Sequence, residues 1–145
     1  MSDFEDENLS STSHPYAQVG YDLMGACFEV HRVLGGGLLE EIYQESLEWE
    51  LSLREIPFES KRELNIFYKE RMLLKKYIPD LVVAEYVMVE LKAVKELVSD
   101  HEAQLFNYLR IARKPVGYLV NFGPTNKVEW KRFVISDFVS KSETR

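Results

Sequence analysis

A chain of 145 residues, 46% hydrophobic and 12% aromatic, has the length and apolar content to bury the core of one globular domain. It holds no run of about 18 apolar residues, and its opening Met1-Ser2-Asp3-Phe4-Glu5-Asp6-Glu7 is acidic and polar, so neither a membrane span nor a signal peptide is expected. A net charge of −6 weighs against passive binding to nucleic acid. The charge is unevenly spread: residues 1–60 carry 13 Asp/Glu against Arg32 and Arg54, a balance of −11, and residues 61–145 carry 16 Lys/Arg against 11 acids, a balance of +5. A basic C-terminal half is suited to face phosphate while the acidic half faces away, unless these are simply solvated surface charges. The one cysteine, Cys27, falls inside a helical pattern and cannot form an internal disulfide, which suits a reducing, cytoplasmic setting. No helix start or neighbouring cation would activate its thiol, so it reads as core packing.

Residues 1–13 are rich in Ser, Asp and Glu and are expected to form a disordered tail, followed by a single domain over 14–136 and a C-terminal tail over 137–145. From His14-Pro15 the apolar positions Tyr16, Val19, Leu23, Ala26, Val30 and Val33 recur at helical spacing, with Pro15 tolerated in the first turn. This helix stops at Gly35-Gly36-Gly37. A second runs from about Leu38 to Arg54, where Ile56-Pro57 ends it. Strand-like sequence follows over 58–68, a Lys69-Glu70 turn, 71–83, a turn near Ala84-Glu85, and 86–94, which predicts a three-stranded meander. Ser99-Asp100-His101-Glu102 has the form of a capping box and opens a third helix reaching about Arg113, before Lys114-Pro115. Two last strands, 116–122 and 128–135, are parted by Gly123-Pro124-Thr125-Asn126. The order ααβββαββ predicts an α/β (α+β) fold with a central mixed sheet flanked by helices.

The chemistry concentrates in Pro79-Asp80 and, ten residues after Asp80, Glu90-Leu91-Lys92. PD…ExK is the residue set of a divalent-metal phosphodiesterase centre. Both halves lie in strand-like text that reads as an antiparallel pair, and strand alternation puts Glu90 and Lys92 on one face. If the hairpin brings Asp80 beside them, two carboxylates and an ammonium converge. Mg2+ or Mn2+ wants such oxygen ligands, and a lysine suits a developing phosphorane charge.

Gly37-Leu38-Leu39-Glu40-Glu41-Ile42-Tyr43 resembles the signature of the GxxExxY family, a small bacterial and archaeal group within the PD-(D/E)XK nuclease superfamily. Glu90-Leu91-Lys92-Ala93, the Gln104 to Leu109 segment and the Gly117 to Phe122 segment are similar to the rest of that family, in the expected order over about residues 16–135. The resemblance implies a restriction-endonuclease-like core and metal-dependent nuclease ancestry, but no known substrate. Under it, Asp80 and Glu90 hold the metal, the Leu91 carbonyl completes the protein's share of the shell, and Lys92 orients the attacking water or neutralises the phosphorus centre. Glu40 is then the helix-borne acid that contacts the ion directly or through water. Gln104 and Tyr108 are similar to the QxxxY element of recombination-type nucleases, where they touch phosphate or fix the lysine.

Each of these residues has a plainer reading. Glu90 and Lys92 would make an ordinary ion pair on a sheet face, and Glu40 a favourable charge at a helix start. Gln104, Tyr108 and His101, one helical face by spacing, would be a polar stripe. The three glycines either admit a phosphate backbone or stop a helix, and no Gly-Lys-Ser/Thr follows to make a P-loop. Tyr68, Tyr77, Trp49 and Trp130 read as core or sheet-edge aromatics, and His14 and His31 carry no assignment. Glu40, Gln104 and Tyr108 are expected to border one cleft rimmed by Lys and Arg, with the acidic N-terminal helix facing elsewhere. The function expected is Mg2+- or Mn2+-dependent phosphodiester hydrolysis of nucleic acid, with DNA as partner and no membrane. The alternatives are a non-catalytic nucleic-acid-binding or protein-interaction module with a vestigial site, and a nuclease subunit that needs a protein partner or its own second copy.

Overall fold

The computed structural model describes residues 4–5 and 16–139. Two helices come first, α1 (Ala17–Leu34) and α2 (Glu40–Leu53), after a short strand β1 (Phe4–Glu5). Strands β2 (Phe58–Ser60), β3 (Leu64–Tyr68), β4 (Arg71–Tyr77), β5 (Leu81–Val83) and β6 (Val87–Lys92) follow, then α3 (Ser99–Ile111), β7 (Val116–Asn121), β8 (Glu129–Val134) and a 3-10 turn at Ser136–Phe138. The expected tail at 1–13 holds one strand, β1, whose backbone pairs antiparallel with β8; the other residues of that tail, and 140–145, lie outside the described residues.

The main sheet runs β1-β8-β7-β6-β5-β2. Only β6 and β7 are parallel, joined across a face by α3, and every other pair is antiparallel. Alternation along the strands builds two cores. Val87, Val89 and Leu91 of β6 face α1 and α2, packing with Leu23, Cys27, Tyr43 and Leu47. Met88 faces the other way, onto Leu105 and Leu109 of α3. With helices on both faces, β7 is buried along its whole length. Cys27 is fully buried in the first core, which pushes its thiol far up, as its core reading requires. Trp49, read as a core or sheet-edge aromatic, is instead 67% exposed on helix α2.

The expected meander is replaced by two interleaved hairpins. Lys61 adopts a left-handed backbone (φ 56) and ends β2, and Ile78-Pro79-Asp80 separates β4 from β5, Pro79 having no N–H to give a ladder. So β2 pairs with β5, and β5 with β6, in the main sheet, while β3 and β4 leave it as a separate two-stranded ribbon. The third helix also starts differently. Ser99 is its first helical residue rather than its cap, because the His101 Nδ1 accepts the Val98 N–H at 3.1 Å and the His101 N–H returns to the Val98 carbonyl at 3.0 Å.

Candidate active site

Asp80 stands where the chain passes from the ribbon back into the main sheet, and it is 8% exposed. Its Oδ2 accepts the Leu91 N–H at 2.7 Å. Its Oδ1 accepts the Lys61 ammonium at 2.7 Å. Its main-chain carbonyl takes Gln44 Nε2 at 3.0 Å and the Lys61 N–H at 3.2 Å. The Leu91 contact follows from strand chemistry: Lys92 gives its carbonyl to Phe122 N–H on the β7 side at 2.9 Å. Backbone groups alternate, so the Leu91 amide and carbonyl face the opposite edge, where β5 has ended and Asp80 stands.

Glu90 shares its face of β6 with Lys92 and Met88, the α3 side. The Tyr77 hydroxyl donates to Glu90 Oε2 at 2.5 Å, and the Tyr77 ring stacks on Tyr108 at 4.3 Å, nearly parallel. Burial pushes the Glu90 carboxyl up to about 7; the Tyr77 bond opposes this, while the Asp80 charge and a hydrogen bond between the two carboxyl groups add to it. The Tyr77 phenol is raised in turn, first by burial and then by the Glu90 charge. Gln104 and Tyr108, on α3, line one cleft with Glu90, Lys92, Tyr77 and His101.

Glu40 is placed differently from the expectation. It opens α2, which lies on the other face of the sheet from α3, so it borders a neighbouring depression with Gln44, Glu48 and Lys61. It remains within reach of the same charges: partial burial and the Asp80 carboxylate raise its carboxyl, and Lys92 and Lys61 lower it. The acidic start of α2 therefore adjoins the site instead of facing away, because the sheet edge that ends at Asp80 is the place where α2 begins.

The signature tyrosine and glycines turn out to shape a loop. The Tyr43 hydroxyl donates to the Gly35 carbonyl at 2.6 Å and accepts the Leu38 N–H at 3.1 Å, with its ring on Phe122 at 4.7 Å. Gly35 and Gly37 have φ of 77 and 87, and a Cβ on Gly36 would stand 2.3 Å from the Pro124 carbonyl oxygen. His31 Nε2 meets that same oxygen at 2.8 Å. Two residues of the cluster carried no sequence assignment to it: Lys61, for which no motif exists, and Tyr77, read as a core or sheet-edge aromatic. Tyr77 is that too, with a buried ring whose hydroxyl alone enters the site.

Among the described residues no group of three or more His, Cys, Asp or Glu stands ready to close around a metal. What the geometry supplies is a pair of facing carboxylates, a main-chain carbonyl edge and two ammonium groups. A family model described as the PD-(D/E)XK nuclease superfamily matches residues 17–133. The chain belongs to that superfamily. Pro79-Asp80 and Glu90-Leu91-Lys92 both fall within the matched span, and the mixed sheet flanked by helices is the restriction-endonuclease-like fold. Membership in the PD-(D/E)XK superfamily supports a nuclease-type function with nucleic acid as substrate. We find no match among curated proteins or among solved structures. No described helix is long and apolar enough to cross a membrane.

Proposed function

We propose that this protein is a GxxExxY-type PD-(D/E)XK nuclease that hydrolyses phosphodiester bonds of DNA with Mg2+ or Mn2+. The observation that carries the reading is the Asp80–Glu90 pair. Burial raises Glu90 to about 7, and the neighbouring Asp80 carboxyl adds to the rise, so the two groups oppose each other's ionisation. A divalent cation relieves that opposition, and Asp80, Glu90 and the Leu91 carbonyl are the hard oxygen donors it prefers, with water and Glu40 completing the set. Lys61 supplies part of the missing charge on Asp80. The residues present therefore fit a divalent ion.

When bound, such an ion polarises a phosphoryl oxygen and acidifies a bound water, so no protein nucleophile is required. Lys92, beside Glu90 on the same face, neutralises charge building on the phosphorus or orients the water. Tyr77 fixes one Glu90 oxygen, and its stack with Tyr108 holds that tyrosine at the cleft wall. Gln104 and Tyr108 offer donors to a phosphate lying in the cleft. The acids opening α2 repel phosphate, which leaves the α3 side as the approach for the nucleic-acid backbone.

Cleavage assays with Mn2+ on duplex, single-stranded and branched DNA, beside calorimetric Mn2+ titration, test the reading. Metal-dependent cleavage that Glu90→Gln abolishes is the expected result. Absence of divalent-ion binding at about millimolar concentration would remove it.

A further inference from the structure

The ribbon formed by β3 and β4 carries an apolar side chain that the core does not use. Leu73 and Tyr77 turn inward with Leu64 and Ile66 against Leu105 and Leu109 of α3. Leu74, next to Leu73, is 98% exposed, and Met72 is 50% exposed. The pairing passes from Asn65↔Lys76 to Phe67↔Met72, so Leu73, Leu74 and Lys75 together stand opposite Ile66. β4 is bulged there, with Leu74 in the middle. Bulges re-aim side chains and gather beside active sites.

The surroundings of Leu74 are cationic. Arg71 precedes it, Lys75 and Lys76 follow it, and Lys69 occupies the turn in the left-handed region (φ 56), where glycine or asparagine would be less strained. Arg113, just beyond α3, lies over the Phe67 ring at 4.2 Å and reaches the Lys69 carbonyl at 3.5 Å. Arg62 stands near enough to Lys114 to lower its ammonium further, after burial. Lysines on an edge strand also discourage edge-to-edge pairing. That accounts for the cations but not for a fully exposed leucine among them, which works against such protection.

We propose that the β3–β4 ribbon is a duplex-DNA-binding arm, its cations set against the phosphates and Leu74, with Met72 beside it, wedged between base pairs from the minor groove; the inference rests on the nuclease reading above. Two-stranded ribbons fit DNA grooves, and minor-groove binders use aliphatic wedges to unstack a base step. Single strands are instead held on aromatic platforms. The exposed aromatic here, Tyr68, has the Lys69 ammonium over its ring at 5.5 Å. The arm is also continuous with the site: Lys76, Tyr77 and Ile78, at its end, line the cleft with Glu90 and Lys92. At about 3.4 Å per residue, Leu74 lies roughly 10 Å along the strand from Tyr77. That distance spans about three base steps, so a kink at Leu74 falls a few steps from the scissile phosphate.

The test is fluorescence anisotropy with duplexes carrying 2-aminopurine, in EDTA so that no cleavage runs. Wild type is expected to bind and to brighten 2-aminopurine at one step. Leu74→Ala is expected to bind about tenfold more weakly with the brightening lost, and Leu74→Met to restore it. Lys75→Ala and Arg71→Ala should each reduce the slope of log affinity against log salt by about 0.9 while leaving the brightening in place. Leu74 is exposed, so its variants keep the fold, and Mn2+ titration of Leu74→Ala should match wild type. Equal binding and brightening by Leu74→Ala would overturn the proposal, as would a dimer that Leu74→Asp dissociates, which would make this face a contact between copies. Mn2+-dependent cleavage with no duplex affinity would sink the arm and spare the nuclease reading. Leu74-dependent duplex binding without any Mn2+ binding would do the reverse.

Discussion

The Lys61 ammonium lies 2.7 Å from Asp80 Oδ1, and the same two residues are joined again by the Lys61 N–H to the Asp80 carbonyl at 3.2 Å. One lysine thus closes the end of β2 onto the carboxylate proposed to hold the metal. Its ammonium is raised, first by the bond to Asp80. It occupies the side of Asp80 on which a cation is most favourable, so under the proposed function a divalent ion would compete with Lys61 for one oxygen.

Lys61→Met keeps the aliphatic stem and removes the competitor. Mn2+ affinity should rise several-fold, up to about tenfold, or about 1.4 kcal/mol. The metal-free protein should lose a little stability, since an ion pair with an exposed lysine contributes at most about 1 kcal/mol, or about 4 °C in Tm. Calorimetric titration and thermal melts with and without Mn2+ read both effects. An unchanged Mn2+ affinity would mean that Lys61 does not stand where the ion goes.

Glu90 makes the metal-free protein pH-dependent with a definite sign. Its folded carboxyl sits at about 7 against an ordinary 4.5, so between these values the folded state holds a proton that the unfolded state has lost. Stability is then fully present below about 4.5 and falls as pH rises through about 7, by roughly 3 kcal/mol. Denaturant titrations from pH 5 to 8 should show this decline, and Glu90→Gln should flatten it. Tyr77→Phe deletes the bond that favours the ionised form, so the decline, and the pH above which Mn2+ binds well, should both move upward. A wild-type stability that stays level from pH 5 to 7.5 would contradict the account.

Tyr43 sits inside the glycine–glutamate–tyrosine signature, yet its hydroxyl bonds only loop backbone, at Gly35 and Leu38. Tyr43→Phe preserves the stack on Phe122 and leaves a carbonyl and an amide without their partner. It should destabilise the protein by about 1–3 kcal/mol and change Mn2+ affinity less than about twofold. Thermal melts and metal titration separate the two roles. Lost metal binding at unchanged Tm would place Tyr43 in the site instead.

What could be seen in the sequence was what short-range periodicity controls. The alternation of Val87, Val89 and Leu91 against Met88, Glu90 and Lys92 marks both the strand and the side on which its charges lie. The ten-residue spacing from Asp80 to Glu90 fits one antiparallel turn, and the structure pairs Leu81 with Val89 accordingly. The strand breaks could not be seen, because residues 58–68 and 71–83 are strand-favouring throughout. They end where Lys61 turns left-handed and where Asp80 exchanges a ladder position for the Leu91 N–H, both set by contacts distant in sequence. Ser99 fits a cap by type, but the His101 ring reaches the Val98 amide, and the helix starts one residue earlier than the motif indicates. Lys61 itself is one of many surface lysines until the fold sets it beside Asp80.

Lys92 and Glu90 share a strand face but should fail differently when replaced. Under the proposed function Lys92 acts on charge that develops only in the transition state, whereas Glu90 holds the ion before any reaction. Lys92→Ala should therefore abolish Mn2+-dependent cleavage while metal affinity stays near wild type, and Glu90→Ala should lose both. Neither change should unfold the metal-free protein. Removing Glu90 relieves its opposition to Asp80, and Lys92 borders an open cleft, so apo stability should hold or rise. Cleavage assays, calorimetric titration and thermal melts on the three proteins decide it. If Lys92→Ala unfolds the chain and wild type binds no Mn2+, the two charges are a structural pair and the site is not a nuclease centre.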